Sequence, residues 1–140
     1  MAIQETDIAL AAGKLVADDP VVQAIVGDRV RPNIIPQDDE MPAISIELVS
    51  QEGWHSLAGG TTACRSRLQF NCIADSKADS VEAAQAVLGV LDGYRGAAGQ
   101  IFISSSVRDN QYDLLDNPTK GADDWRFRRV IDFSICHSQP

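Results

Sequence analysis

The strongest constraint on the fold is a change of period near Asp75. From Thr62 to Ile73 apolar and polar residues alternate. Cys64, Leu68, Phe70 and Cys72 fall on one side, and Arg65, Arg67, Gln69 and Asn71 on the other. A period of two is that of a strand with one buried face. From Ser76 to Leu91, "SKADSVEAAQAVLGVL", the repeat becomes helical. Val81, Ala84, Leu88 and Leu91 trace a stripe that Val87 widens. Asp75 or Ser76 can cap this helix, and Gly93 ends it. A half-buried strand that feeds an amphipathic helix predicts a sheet with helices against one face.

The flanking segments extend this pattern. A first helix is predicted over Thr6–Ala17, capped by Thr6 or Asp7, with Ile8, Ala11, Ala12, Leu15 and Val16 on its buried face. "DDPVVQAIVG" reads as a short second helix. Asp19 is its cap, Pro20 its first residue and Gly27 its left-handed close, with Val21, Val22, Ile25 and Val26 buried. Val30–Asn33 is a short strand that Pro32 confines to an edge or a bulge. Ala43–Gln51 alternates, with Ile44, Ile46 and Leu48 opposite Ser45 and Glu47, and forms a hairpin with Thr62–Ile73. Gln100–Arg108 and Trp125–His137 are the last strands. In the latter, Trp125, Phe127, Ile131, Phe133 and Ile135 oppose Arg126, Arg128, Val130, Asp132 and Ser134. The expected class is α+β: a mainly antiparallel sheet of about four to five strands, helices on one face, order α-α-β-β-α-β-β.

At 140 residues the chain reads as one domain, residues 1–140. Its net charge of -8 argues against unassisted nucleic-acid binding, which needs clustered Lys and Arg. The opening "MAIQETDIAL" has no basic region before an apolar run, so no signal peptide is expected. No apolar stretch has the length of a membrane span, so no membrane partner is expected.

Candidate chemistry is sparse. The histidines, His55 and His137, have no further ligands at metal spacing and read as solvated or interface residues. Asp38-Asp39-Glu40 and Asp123-Asp124 lack the alternating oxygens and glycine turn that a hard cation wants, and read as solvated loops. Cys64 and Cys72 share the inward parity of their strand, and Cys136 has no base in reach. All three are expected reduced. Gly59-Gly60 is a turn without the Lys-Ser/Thr of a phosphate loop. No catalytic, cofactor-binding or metal site is expected.

Two features suggest surfaces instead. Arg65, Arg67, Arg126, Arg128 and Arg129 lie mostly on outward strand positions of an acidic protein. They either pair across strands with Glu47, Gln69 and Asp132 or form a contact face for an acidic partner such as Asp38, Asp39 and Glu40 of a neighbour. The stretches Gly53–Thr61 and Asn110–Asp124 read as long loops. They carry large apolar residues (Trp54 and Leu57 in one, Tyr112, Leu114 and Leu115 in the other) that polar turns do not need. They are expected to be mobile until a partner buries them.

Several segments together resemble one family. "VVQAIVGDRVRPNIIPQDDEMPAISIEL" is similar to the opening of the tail-completion proteins of long-tailed bacteriophages and prophages. These have a helix, a "VGDR" turn, a proline-bearing strand, a "PQ" and a "PAI" strand entry; here they are Val26–Val30, Pro32, Pro36-Gln37 and Pro42-Ala43-Ile44. "RSRLQFNCIADSKADSVEAAQAVLGVLDGYRG" resembles the family's second strand, main helix and "LDGxRG" close. "DNQYDLLDNPTKGADDWRFRRVIDFSICH" resembles its "D.YD" segment and terminal strand. The resemblance spans nearly the whole chain and rests on the order of the motifs. It implies a non-enzymatic virion protein with no cofactor, made in the host cytoplasm. Such proteins form a six-fold homo-oligomeric ring that ends the tail tube, docks it to the head-completion or connector protein, and lets DNA pass unbound. The alternatives are a head-side stopper or adaptor, a small ligand-binding α+β module and, last, an enzyme.

Overall fold

A computed structural model describes residues 7–35, 40–56, 59–116 and 125–138, without side chains for 54–56, 59–62 and 116. The elements are α1 (Ile8–Asp18), α2 (Pro20–Val26), β1 (Val30–Pro32), β2 (Ala43–Ser56), β3 (Gly59–Ala74), α3 (Lys77–Leu91), β4 (Gly96–Ala98), β5 (Ile101–Asp116) and β6 (Arg126–Ser138). One six-stranded sheet runs β1-β2-β3-β6-β5-β4 and curls into a half-barrel. Only β1 pairs in parallel, with β2; the other pairings are antiparallel.

The helix ends follow from their caps. The Asp7 carboxylate accepts from the Leu10 N–H at 3.0 Å. Asp19 accepts from Val21 and Val22 at 3.1 and 3.2 Å, with Pro20 first in α2. The Ser76 hydroxyl accepts from Asp79 at 3.2 Å. Each cap satisfies backbone donors that a helix start leaves open. Gly27 closes α2 with φ +61°, where a side chain would be strained.

One face of the sheet holds the core. Phe70 and Phe133 meet edge to face at its centre, ring centroids 5.5 Å apart. Around them pack Ile44, Ile46, Leu68, Ile131 and Ile135 from the sheet, and Ala11, Ala12, Val16, Val22, Val26, Ala83, Ala84, Val87 and Leu91 from all three helices. In α3 the buried stripe is Ser80, Ala83, Ala84, Val87 and Leu91 rather than one through Val81, and Val21 of α2 is exposed.

The expected class stands, with a mainly antiparallel sheet, but the sheet has six strands and the order is α-α-β-β-β-α-β-β-β. β4 was not expected, because three residues, Gly-Ala-Ala, carry no period. The larger correction concerns β5. It continues to Asp116, so 110–116 are strand and not loop, and Tyr112, Leu114 and Leu115 sit on a ladder with β6. β2 likewise runs to Ser56, and β3 starts at Gly59. Bulges explain the difference. Register shifts between Arg108 and Asn110 in β5 and between Leu48 and Ser50 in β2 insert a residue each, and at the shift between Gly53 and His55 the extra residues lie in β3. The alternation then breaks although the strand does not.

Removing a ring from the central pair leaves a void that the tight core cannot fill. Phe70→Ala should cost about 3–5 kcal/mol, read as a lowered denaturation midpoint with an unchanged slope on denaturant.

Candidate functional site

The segments that carried the resemblance meet in space as structural joints. Arg29 of the "VGDRV" turn donates from Nε to the Pro42 carbonyl at 3.0 Å, and its own carbonyl accepts from the Ile44 N–H at 2.9 Å. This locks Val30 beside Ile44 and starts the parallel β1–β2 pair. In "LDGYRG", the Asp92 carboxylate accepts from the Arg108 N–H, the Gly93 N–H (φ +81°) donates to the Ser106 carbonyl, and the Tyr94 hydroxyl donates to the Ala97 carbonyl. The first two contacts fasten the end of α3 to the edge of β5, and the third holds Tyr94 to β4. In "DNQYD", Asp113 holds Arg129 through two bonds of 2.7 and 2.9 Å. That bidentate bond keeps the Asp113 carboxyl below the usual carboxylate range and raises the Arg129 guanidinium. Lys77 approaches the same carboxylate at 3.9 Å.

The arginine face is real but internally answered. Arg65 reaches Glu52 at 3.5 Å. Arg67 reaches Asp109 at 3.3 Å and Asp132 at 3.9 Å. Gln69 donates to the Tyr112 hydroxyl and to Asp132. Arg126 holds Asp75 at 2.6 Å. Arg128, opposite Leu114, is engaged as well. Arg129 has the other parity, facing Asp113 and Cys72. Of the acidic cluster, Glu40 is exposed and lies 3.8 Å from Arg29, while Asp38 and Asp39 lie outside the described residues. The partners Asp75, Asp109 and Asp113 escaped the sequence reading, because only the β3–β6–β5 register brings them to the arginines.

The apolar candidates divide by face. Tyr112 and Leu114 share the parity of the arginines; Leu115 lies opposite Phe127 on the other face. All three are exposed, as is Trp125. Trp54 lies in β2 with no side chain described, and Leu57 lies outside the described residues.

Burial pushes the Cys72 thiol up to about 12, so it is no thiolate at neutral pH. Cys64, Cys72 and Cys136 are free thiols. His137 departs from expectation. It continues the inward parity of Ile131, Phe133 and Ile135 and is 1% exposed. Its Nε2 lies 2.7 Å from the Ser66 hydroxyl. A serine nucleophile needs access and a base oriented by a third group. Ser66 is buried too, and His137 Nδ1 has no hydrogen-bond partner among the described residues. The pair is a core polar contact. Among the described residues no cluster of three His, Cys, Asp or Glu side chains could hold a metal. A groove of about 500 Å³ lies between α1 and the β1–β2 edge, lined mostly by apolar groups with Asp7, Lys14 and Asn33.

No family model matches the sequence, and no curated protein matches it. Among solved structures the chain is similar to a chain of "Virion of native gene transfer agent (GTA) particle". The likeness has a TM-score of 0.64 at 16% identity and covers 98% of this chain and 96% of that one. It shows a shared fold.

Burial holds the His137 pKa below its usual value, and the opposing pull of Asp7 is smaller. The unfolded chain therefore takes up this proton first as pH falls. The stability is intact above the unfolded value, about 6.5, and is lost as pH drops from there toward the folded value. Asp113 acts in a separate window, below the ordinary carboxylate value of 3.8. The unfolding midpoint should fall between pH 7.5 and 5.5. His137→Gln, which keeps a polar group toward Ser66 but does not titrate, should flatten that slope in thermal scans.

Proposed function

We propose that this chain is a non-enzymatic structural protein of a phage-like particle, and within it the tail-completion protein. In this reading copies form a ring, six-fold as in the family it resembles, on the end of the tail tube. One side of the ring stops tube growth and the other docks the head connector. The observation that carries the reading is the likeness in fold to a virion chain over nearly the full length of both chains. The ordered motifs support the finer assignment. They hold the β1–β2 start, the α3–β5 junction and the β5–β6 pair together, as a family fold would require. The net charge of -8 suits a ring through which DNA passes without adhering. The outer face serves contact rather than chemistry, and Arg65, Arg67, Arg126 and Arg128 are its candidates, with exposed Tyr112, Leu114 and Leu115 beside them.

Deleting the gene from a particle-producing genome and imaging the particles tests this directly. A tail-completion role predicts tails of uncontrolled length and unattached heads. Tails of normal length with heads that leak DNA would reassign the chain to the head-side stopper. Particles normal in number and form would end the virion reading.

A further inference from the structure

Among the described residues the sheet has two open edges, and they are complementary. On one side, β1 covers β2 only as far as Pro32 opposite Ile46. Asn33 then adopts φ +64°, and the Ile34 N–H turns back to the Pro32 carbonyl at 2.7 Å, so the chain leaves the edge. From Leu48 to Ser56 no described strand pairs with β2 on that side. On the other side, β4 covers β5 at Ile101–Ile103, and Asp92 and Gly93 bond Arg108 and Ser106. From Asp109 to Asp116 no described strand lies beyond β5.

The backbone direction at both edges follows from these bonds. Ile44 and Ile46 turn their backbone groups toward β1, so past the bulge Gln51 and Gly53 face outward. Ser106 and Arg108 face away from β6, so past their bulge Gln111, Asp113 and Leu115 do too. Long open edges invite strand addition, and soluble proteins blunt them with Lys or Pro. The sequences "LVSQEGWHS" of β2 and "DNQYDLLD" of β5 contain neither. Both edges also expose apolar side chains. Leu48 and Val49 are 42% and 52% exposed, Leu114 and Leu115 43% and 55%.

We propose that the β5 edge of one copy adds to the β2 edge of the next, extending the sheet across the subunit boundary. The occupant is a second copy, because one chain carries both halves of the joint. The stretches are similar in length. In copies that share one orientation, β2 and β5 run antiparallel, since two strands separate them in an alternating sheet. A register with Gln51 opposite Asp113 sets Gly53 opposite Gln111 and brings Leu48 and Val49 beside Leu114 and Leu115. Arg129 already neutralises Asp113. The contact is heterologous, so it propagates head to tail and closes when the rotation fits. The two stretches lie at opposite ends of the sheet, β2's against the 133–138 half of β6 and β5's against the 126–132 half. Joined copies are therefore staggered, and tilted strands in a closed sheet need a stagger.

The inference deepens the ring reading and rests on it only for self-association. The test uses the purified full chain. Gln51→Pro and Gln111→Pro each remove one outward N–H and leave the internal ladder intact, which an edge tolerates. In analytical ultracentrifugation the unmodified chain should form species larger than a dimer. Each variant alone should be monomeric, with unchanged circular dichroism. An equimolar mixture should give dimers and nothing larger, because each variant retains the edge the other lacks. A variant that keeps the parent mass overturns the proposal, as does either variant dimerising alone or a parent chain monomeric to about 1 mM. Val49→Lys and Leu115→Lys repeat the test through side chains if a proline unfolds the chain. Self-association that survives all four variants removes the edge contact and leaves the particle-deletion test untouched.

Discussion

The rest of this fold depends on the pairing of β3 with β6. The two strands run without a register shift from Ala63 opposite Ser138 to Ala74 opposite Phe127. Their inward side chains, Leu68, Phe70, Cys72, Ile131, Phe133 and Ile135, lie at the centre of the core; α3 packs directly on this pair, and α2 reaches the core against α1 and α3. Buried apolar side chains of this size contribute about 1.5–3 kcal/mol each relative to exposure. On the neighbouring strand β2, α1 comes close. α1 presents Ala11, Ala12 and Gly13, and a Cβ at Gly13 would stand 2.6 Å from the Ile46 Cδ1. A small helix face against Ile46 gives a close helix–sheet contact that larger residues would lift.

The opposite face shows a different economy. Its arginines and carboxylates are matched across strands, and most of them are well exposed. Exposed pairs of this kind contribute about 0–1 kcal/mol. They favour the observed register over its neighbours more than they hold the sheet. A face whose charges are satisfied at home presents no strong local field of either sign. The firmest ion pair, the bidentate Asp113–Arg129 bond, has the other parity and lies at the end of the sheet where β5 meets α3.

Much of this was legible from residue types. The caps at Asp7, Asp19 and Ser76, the Gly27 close and the inward parity of β3 and β6 all follow from rules that act within a few residues. What was not legible depended on partners distant in sequence. Pairing to β6 makes "NQYDLLD" a strand, although its polar residues and the bulge before it hide the period. His137 looked peripheral three residues from the chain end, yet parity carries it inward beside Cys64 and Ile103, where Ser66 can meet it. Cross-strand pairing of the arginines was legible for Asp132, which Arg67 approaches at 3.9 Å, but the partners Asp75, Asp109 and Asp113 were not, because an ion pair such as Arg67–Asp109 exists only after two registers are set.

The sequence by itself determined the helices, most of the buried faces and the class of the sheet, since each is set by period and capping chemistry. Only the tertiary structure decided where strands end, which charges are already paired and which backbone edges remain open. Those are properties of register. A bulge of one residue, invisible in composition, changes every facing partner beyond it. Among the described residues the edges of β2 and β5 are open because β1 leaves at Asn33 and β4 stops short, two events that no period in the chain announces.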